Sequence, residues 1–224
     1  MMKMTEFAPP NSVDTLIQRA QQLAGLSFLD LAKLTHSPCP PSLHHAKGWL
    51  GQILERVLGA DAANLACPDF AALQIELKTL PISSIGLIKE STYVTYAPIP
   101  FTEQNWENST VFHKMKKVLW VPYLAEGDVP KRTLAMPFLW HMPKSIESIL
   151  KEDWEELTER LRLHHFESLN GKLGKYLHIR PKAPNSKTWI TLLNHSGEPI
   201  KVVPKGFYLR SQCTQKILQE YFNF

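Results

Sequence analysis

Two acids and a lysine lie close together in the segment DFAALQIELK, residues 69–78. In its second half, apolar and polar residues alternate, which is typical of a half-buried strand. This alternation directs Glu76 and Lys78 to the same side, about 7 Å apart. Magnesium prefers oxygen ligands, and a nearby lysine can orient an attacking water or balance charge. The segment therefore indicates metal-dependent phosphodiester cleavage, with Asp69, Glu76 and the Leu77 carbonyl as metal ligands.

The spacing of the two acids sets a geometric condition for a shared metal ion. In a straight strand, Asp69 and Glu76 would stand about 23 Å apart, too far to hold one ion. We therefore predict that residues 70–73 turn the chain and that Asp69 lies beyond the bend. The pattern Pro68-Asp69-x6-Glu76-x-Lys78 resembles the PD-(D/E)xK motif of type II restriction endonucleases. The competing interpretation is a strand edge with a surface salt pair, which contributes little energy.

A further carboxylate lies on the helix predicted over residues 44–58. Gly48, Gly51 and Glu55 follow one another at spacings of three and four, so they share one face of that helix. A glycine inside a helix costs about 1 kcal/mol relative to alanine. Two glycines on one line therefore indicate that another group approaches the backbone closely. Glu55 is a candidate site residue, and a solvent-exposed glutamate on an amphipathic helix is the alternative.

Charge is unevenly distributed along the chain, although the net charge is only +4. Residues 171–210 contain eight basic side chains and one acidic side chain, Glu198. Residues 147–160 contain six acids and two bases. A polyanion bound on one side of the protein fits this asymmetry. Phosphate contacts are expected from the basic segment, which includes Lys205.

Composition argues against several other classes of protein. Three distant cysteines, Cys39, Cys67 and Cys213, without a CxxC pair, are not a disulfide framework or a zinc ribbon. His44 and His45 near Cys39 lack a fourth zinc ligand at a useful spacing. No glycine-rich phosphate loop is present, which disfavours ATP hydrolysis. The chain has no apolar signal region and no run of about 20 apolar residues, so we expect a cytoplasmic protein without a membrane span.

Helical and extended patterns are interleaved, which predicts a mixed α/β fold. Besides the helix at 44–58, helices are expected at 12–24, 27–34, 106–117, 145–163 and 211–222. The second of these opens with a capping box, Ser27 and Asp30. Strands are expected at 72–80, 92–97, 118–123, 134–140, 176–179 and 207–209.

Six longer segments together resemble the MutH family of bacterial mismatch-repair endonucleases. They are KGWLGQILERVLGA (47–60), DFAALQIELKTLP (69–81), HKMKKVLWVP (113–122), EDWEEL (152–157), YLHIRPKAPNSK (176–187) and PKGFYL (204–209). The resemblance runs from about Ser12 to the C-terminus and is weaker over residues 100–105.

The resemblance implies a role for each matching residue. Asp69, Glu76 and Lys78 match the family's catalytic acids and lysine, and Glu55 matches its additional active-site glutamate. Basic residues near the scissile phosphate match Lys47 and Lys114.

The resemblance also implies how methylation of adenine is read. The reading loop matches Arg180, Pro181 and Lys182, and a reading tyrosine matches Tyr208. Arginine donates two hydrogen bonds to guanine N7 and O6, so Arg180 suits the G of GATC. The Pro181 carbonyl can accept from an unmethylated adenine N6, and the Tyr208 ring can contact a methyl group. Without the resemblance, Arg180 could equally be a phosphate contact and Tyr208 a core aromatic.

For the whole protein, the resemblance implies a Mg²⁺-dependent enzyme that nicks the unmethylated strand of hemimethylated GATC sites. It implies a restriction-endonuclease-like mixed sheet flanked by helices, in one domain over residues 1–224 whose two lobes form a DNA-binding cleft. We expect the catalytic lobe mainly at 12–105 and the basic DNA-reading lobe mainly at 165–224. Expected partners are double-stranded DNA, MutL as activator and MutS indirectly, with the protein itself a monomer. A restriction endonuclease cutting both strands at GATC and a non-catalytic DNA-binding module are the alternatives.

Overall fold

The computed structural model describes residues 8–42, 48–62, 67–182 and 188–223, except for the side chain of Glu167. These residues form six α-helices and eight strands. The helices are α1 (Val13–Gln21), α2 (Phe28–Leu34), α3 (Trp49–Leu58), α4 (Thr110–Met115), α5 (Lys144–Arg162) and α6 (Ser211–Phe222). The strands are β1 (Glu76–Ile82), β2 (Thr92–Ala97), β3 (Lys117–Leu124), β4 (Phe138–His141), β5 (Leu177–Pro181), β6 (Ile190–Leu193), β7 (Pro199–Val202) and β8 (Lys205–Leu209).

The chain divides into two compact units, each built from two separate stretches of sequence. The first unit contains Met1–Lys89 and His113–His141, and the second contains Glu90–Phe112 and Met142–Phe224. These bounds differ from those of the predicted lobes, because the chain crosses between the units three times. The division into a catalytic and a DNA-reading lobe stays a prediction. No helix in the described ranges is both long and apolar enough to cross a membrane.

The first unit is built around a mixed sheet with the strand order β1-β3-β4. β1 runs parallel to β3 with Glu76 opposite Val118, and β4 runs antiparallel to β3. The central strand β3 is buried over most of its length, as expected for a strand covered on both faces. The apolar core of the first unit includes Leu16 of α1, Phe28 of α2 and Leu54 of α3, each at 0% exposure. The predicted mixed α/β class is confirmed.

The second unit is built around an antiparallel sheet with the strand order β2-β8-β5. The carboxylate of Asp153 on α5 accepts hydrogen bonds from the N–H groups of Lys175, Tyr176 and Leu177 at 2.7, 2.6 and 2.8 Å. These bonds fasten α5 to the start of β5, where the basic segment begins. β6 and β7 form a separate two-stranded hairpin.

The predicted capping box of α2 is confirmed. The Ser27 hydroxyl accepts from the Asp30 N–H at 3.1 Å, and the Asp30 carboxylate accepts from the Ser27 N–H at 3.1 Å. The predicted strand at 72–80 begins only at Glu76, because residues 71–73 form a 3₁₀ turn.

Other elements also differ from the sequence-based prediction, and the strand predicted over 134–140 begins only at Phe138. The helix predicted over 106–117 consists of a 3₁₀ turn at Trp106–Asn108 and the short helix α4, separated by the extended residue Ser109. The hairpin of β6 and β7 was not predicted.

Candidate active site

A tight turn carries Asp69 to a position opposite Glu76. The Phe70 N–H donates to the Ile75 carbonyl at 2.9 Å, and the Ile75 N–H donates back to the Phe70 carbonyl at 3.3 Å. Between them lie the 3₁₀ turn and Gln74, which has a left-handed backbone with φ 54°. The chain therefore reverses direction within a few residues, and the predicted bend is confirmed. The Asp69 carboxylate accepts from the Leu77 N–H at 2.8 Å, beside Glu76.

Hydrogen bonds from two other segments hold this turn. The Asp61 carboxylate accepts from the Ala71 N–H at 2.9 Å, and the Asp61 N–H donates to the Asp69 carbonyl at 3.1 Å. The Lys117 ammonium donates to the Leu73 carbonyl at 3.4 Å. Asp61 and Lys117 thus position this turn, and sequence analysis missed both because their partners are distant along the chain.

Glu76 is a buried carboxylate that holds two lysines. Its residue exposure is 1%, and the Lys114 ammonium donates to its two oxygens at 3.1 and 3.0 Å. The Lys78 ammonium donates to one of the same oxygens. The surface-salt-pair interpretation is wrong, because all three side chains are largely buried. Burying such a cluster gains little stability after desolvation, which favours a functional reason for it.

Glu55 belongs to the same electrostatic cluster. It lies half-buried on α3, and burial, followed by the charges of Asp69 and Glu76, raises its pKa. Burial and the Glu76 charge also raise the pKa of Asp69, while the Leu77 N–H and the two lysines oppose that shift. Repulsion among three carboxylates is therefore only partly relieved by Lys78 and Lys114.

The two glycines of α3 have different explanations. Gly48 caps the helix with a left-handed backbone, φ +89°, so it lies at the helix start and not inside it. Gly51 is helical, and a Cβ built there would meet a Glu55 carboxylate oxygen at 3.8 Å, an ordinary contact. Among the described residues, no group lies within 4 Å of a Cβ built on Gly48, so the predicted close approach to its backbone stays a prediction. Lys47 lies outside the described residues.

The donor set suits a hard divalent cation. Mg²⁺ usually takes one or two protein carboxylates and keeps water for its remaining positions. Asp69 and Glu76 supply two carboxylates whose charges repel each other, and a bound cation would offset the burial and the repulsion that raise the pKa of Asp69. In the described ranges, no three acidic, histidine or cysteine side chains are already arranged around one metal position. Two carboxylates completed by water nevertheless meet the requirement of Mg²⁺.

The raised pKa of Glu55 predicts a pH-dependent gain in stability for Glu55→Gln. A carboxyl group whose pKa is raised by folding favours the folded state below its unfolded pKa, and this contribution is lost as pH rises through the folded pKa. The glutamine variant should therefore melt at the same temperature as wild type near pH 4 and roughly 2 °C higher near pH 7. Calorimetric melting curves across this range test it. A variant that is less stable at pH 7 than at pH 4, relative to wild type, would contradict the assignment.

The second unit carries two of the predicted DNA-reading residues, Arg180 and Tyr208, on one face of its sheet. Along β8, Phe207 and Leu209 are buried, whereas Tyr208 lies half-buried on the opposite face. The core-aromatic interpretation of Tyr208 is therefore wrong. The Arg180 guanidinium carbon lies 5.9 Å from the centre of the Tyr208 ring, and the Tyr93 ring centre lies 5.3 Å from it. Arg180 itself is exposed.

The remaining predicted reading residues lie where β5 ends and β8 begins. Pro181 pairs with Lys205 in the sheet register, and the Lys182 N–H donates to the Pro204 carbonyl at 2.7 Å. The Lys182 ammonium lies 4.2 Å from the centre of the Tyr93 ring. The Lys205 ammonium donates to the Leu169 carbonyl at 3.3 Å, and burial lowers its pKa. Its assignment to phosphate binding stays a prediction.

Gly206 allows the three strands to approach at this point. A Cβ on Gly206 would stand 3.0 Å from the Tyr93 ring and 3.1 Å from the Thr95 carbonyl oxygen. Both distances are shorter than normal contacts, so a side chain here would push Tyr93 away from Tyr208. Sequence analysis missed Tyr93 and His178 on this face. Period-two alternation marked both strands as extended, but it did not show which strands are neighbours.

Paired acids and a lysine at a turn and the following strand, in a helix-flanked mixed sheet, define a nuclease of the restriction-endonuclease-like class. The family model described as DNA mismatch repair enzyme MutH matches residues 58–153. The DNA mismatch repair protein MutH of Pasteurella multocida is 45% identical over 218 residues, covering 95% of this chain and 97% of the relative. The MutH protein of Vibrio campbellii is 43% identical over 216 residues, covering 95% of this chain and 96% of the relative. The chain belongs to the MutH family, and it is a DNA endonuclease.

Proposed function

We propose that this endonuclease nicks the unmethylated strand at hemimethylated GATC sites, with Mg²⁺, in methyl-directed mismatch repair. The observation that carries the catalytic part of this proposal is the cluster in the first unit. Glu76 lies beside Asp69 across the turn and holds Lys78 and Lys114, and burial, followed by the charges of both acids, raises the pKa of Glu55. Membership of the MutH family supports the pathway.

In this proposal, each residue of the cluster has a separate role in phosphodiester hydrolysis. Asp69 and Glu76 would hold the metal ion, and the Leu77 carbonyl would add a ligand. When bound there, Mg²⁺ would supply charge neutralisation at the phosphate and would make the attacking water more acidic. Lys78 orients the attacking water, and Lys114, with Lys47, contacts the scissile phosphate. Glu55 adds a carboxylate beside the metal ligands, where it can accept a proton from the water.

The second unit would read the base sequence and its methylation. An exposed arginine suits bidentate donation to guanine, and Arg180 lies next to the Tyr208 ring. The Pro181 carbonyl would accept a hydrogen bond from the unmethylated adenine N6, which N6 methylation obstructs. The Tyr208 ring lies between Tyr93 and Arg180, where it can contact the base at the N6 edge. Lys182 and Lys205 would add phosphate contacts.

We further propose that the enzyme acts as a monomer on double-stranded DNA in the cytoplasm, where a bacterial chromosome lies. MutL would activate it after engagement by MutS. The structure describes neither interface.

Tyr208→Ala should reduce discrimination against methylated adenine about tenfold while leaving the melting temperature within about 3 °C of wild type. The reason is that Tyr208 projects away from the buried face of β8. The measurement compares initial nicking rates on hemimethylated and fully methylated duplexes. Tyr221→Ala, which truncates an exposed tyrosine on α6, is the matched control. Unchanged discrimination in a normally folded Tyr208→Ala protein would remove the reading role.

The overall proposal is tested with a supercoiled plasmid that carries one hemimethylated GATC site. With Mg²⁺ and a MutL protein, the expected product is the nicked circle, and chelation by EDTA should stop its formation. Linear product from one binding event would instead indicate a restriction endonuclease that cuts both strands. Cleavage at the same rate with EDTA would contradict the metal dependence.

A further inference from the structure

A buried histidine lies next to Tyr208 on the neighbouring strand. His178 on β5 pairs with Tyr208 on β8, and its exposure is only 5%. The two rings meet edge-to-face, with centroids 6.3 Å apart and planes at 83°. This geometry is a favourable arrangement for an aromatic pair. His178 therefore lies beside Tyr208 on the same face of the sheet.

A hydrogen bond fixes the His178 ring in the plane of this contact. Its Nε2 lies 3.1 Å from the Ser91 hydroxyl, at the edge of β2. Its Nδ1 has no hydrogen bond of good geometry to any described residue, although the Gly171 backbone lies close enough to raise its pKa slightly. The histidine thus connects β5 to the residue before β2, across the intervening strand β8.

The environment disfavours the charged form of this imidazole. Burial lowers the pKa of His178, and the nearby charges of Arg210 and Arg180 lower it further. A neutral ring can present its edge or face to Tyr208 without competing with Arg180 for the same aromatic surface. Tyr208 is thus held by three neighbours of different chemistry: Tyr93, Arg180 and His178.

We propose that His178 is a positioning residue for methyl discrimination, because its ring and its bond to Ser91 fix the orientation of the Tyr208 ring. The inference rests on the proposed role of Tyr208. His178 itself is too buried to touch DNA, so its effect must pass through Tyr208. Loss of its ring lets Tyr208 adopt other rotamers, so that a methylated and an unmethylated N6 are distinguished less sharply.

The test measures the ratio of initial nicking rates on hemimethylated and fully methylated duplexes. His178→Gln keeps a hydrogen-bonding side chain toward Ser91 but removes the ring, and it should lower the ratio about fivefold. Its rate on hemimethylated DNA should stay within about twofold of wild type, because His178 touches neither the acids nor the phosphate. His141→Ala, which truncates an exposed histidine in the first unit, is the control.

A double variant separates positioning from a general structural role. In a Tyr208→Ala background, His178→Gln should change the ratio no further, since the ring that it positions is gone. An unchanged ratio for His178→Gln with normal melting, or an equal loss in both backgrounds, overturns the proposal. If His178→Gln does not fold, Ser91→Ala is the deciding variant. Its ratio of nicking rates should fall about twofold, and an unchanged ratio would overturn the proposal.

Failure of this inference is distinguishable from failure of the proposed function. If Tyr208→Ala loses discrimination and His178→Gln does not, only the positioning role is removed. If Tyr208→Ala retains full discrimination, the reading role of Tyr208 is itself wrong and the inference is overturned with it.

Discussion

Asp69→Asn should give a stable protein that nicks DNA at least about 10³-fold more slowly than wild type. The loss is expected because the variant removes one of two carboxylates that would hold the metal ion, whose charge stabilisation contributes several kcal/mol. The fold should survive, because the asparagine oxygen can still accept from the Leu77 N–H, now 2.8 Å from the carboxylate.

The stability of this variant carries a separate prediction. Burial and the Glu76 charge raise the pKa of Asp69, so the ionised carboxylate destabilises the folded protein at neutral pH. Asparagine removes that charge, and the melting temperature at pH 7 should equal or exceed that of wild type. Asp14→Asn, at an exposed position on α1, is the matched control and should keep full activity. An active Asp69→Asn enzyme would contradict the assigned metal site.

Glu76→Gln should lose activity to a similar extent, but it should also destabilise the protein by about 3 kcal/mol. The physical difference is that Glu76 is the shared partner of two largely buried ammonium groups, those of Lys78 and Lys114. A neutral amide leaves both charges without their carboxylate in a poorly solvated site. Chemical denaturation gives the free energy of unfolding directly.

The control for Glu76→Gln is a second lysine–glutamate pair in a different setting. Glu220 pairs with Lys216 at 2.8 Å on α6, and both side chains are more than two-fifths exposed. Glu220→Gln should change the free energy of unfolding by less than about 0.5 kcal/mol. Equal changes in the free energy of unfolding for the two substitutions would mean that the burial of Glu76 does not determine how much its ion pairs contribute to stability. The two active-site variants should therefore differ in stability, because only Glu76→Gln is expected to lower the free energy of unfolding.

Much of the turn between Asp69 and Glu76 could be predicted from residues 69–78. Alternation marked Glu76 and Lys78 as neighbours on one side of a strand, and strand geometry required a bend after Asp69. Both features are local, and the structure has the bend as a 3₁₀ turn at Ala71–Leu73. The partner of Glu76 from outside this segment, Lys114, was available only from the family resemblance. Its approach depends on the parallel pairing of β1 with β3, which no local pattern specifies.

The neighbours of Tyr208 show the same limit of prediction from local sequence patterns. Period-two alternation separates Tyr208 from Phe207 and Leu209, but it does not say which face is buried. His178 and Tyr93 join Tyr208 only because β8 lies between β5 and β2, strands distant along the chain. Asp61 was missed for a similar reason, since its bond to the Ala71 N–H spans ten residues. Tertiary pairing, and not local preference, brings these groups together.

The central claim, that the acid–lysine site nicks only the unmethylated strand, is tested most directly with two duplexes of identical sequence and one GATC site. One duplex carries adenine methylation on the top strand and the other on the bottom strand. With Mg²⁺ and a MutL protein, wild type should nick the bottom strand of the first duplex and the top strand of the second, and Asp69→Asn should nick neither. Nicks in the same strand of both duplexes, or equal nicking of both strands, would contradict the account.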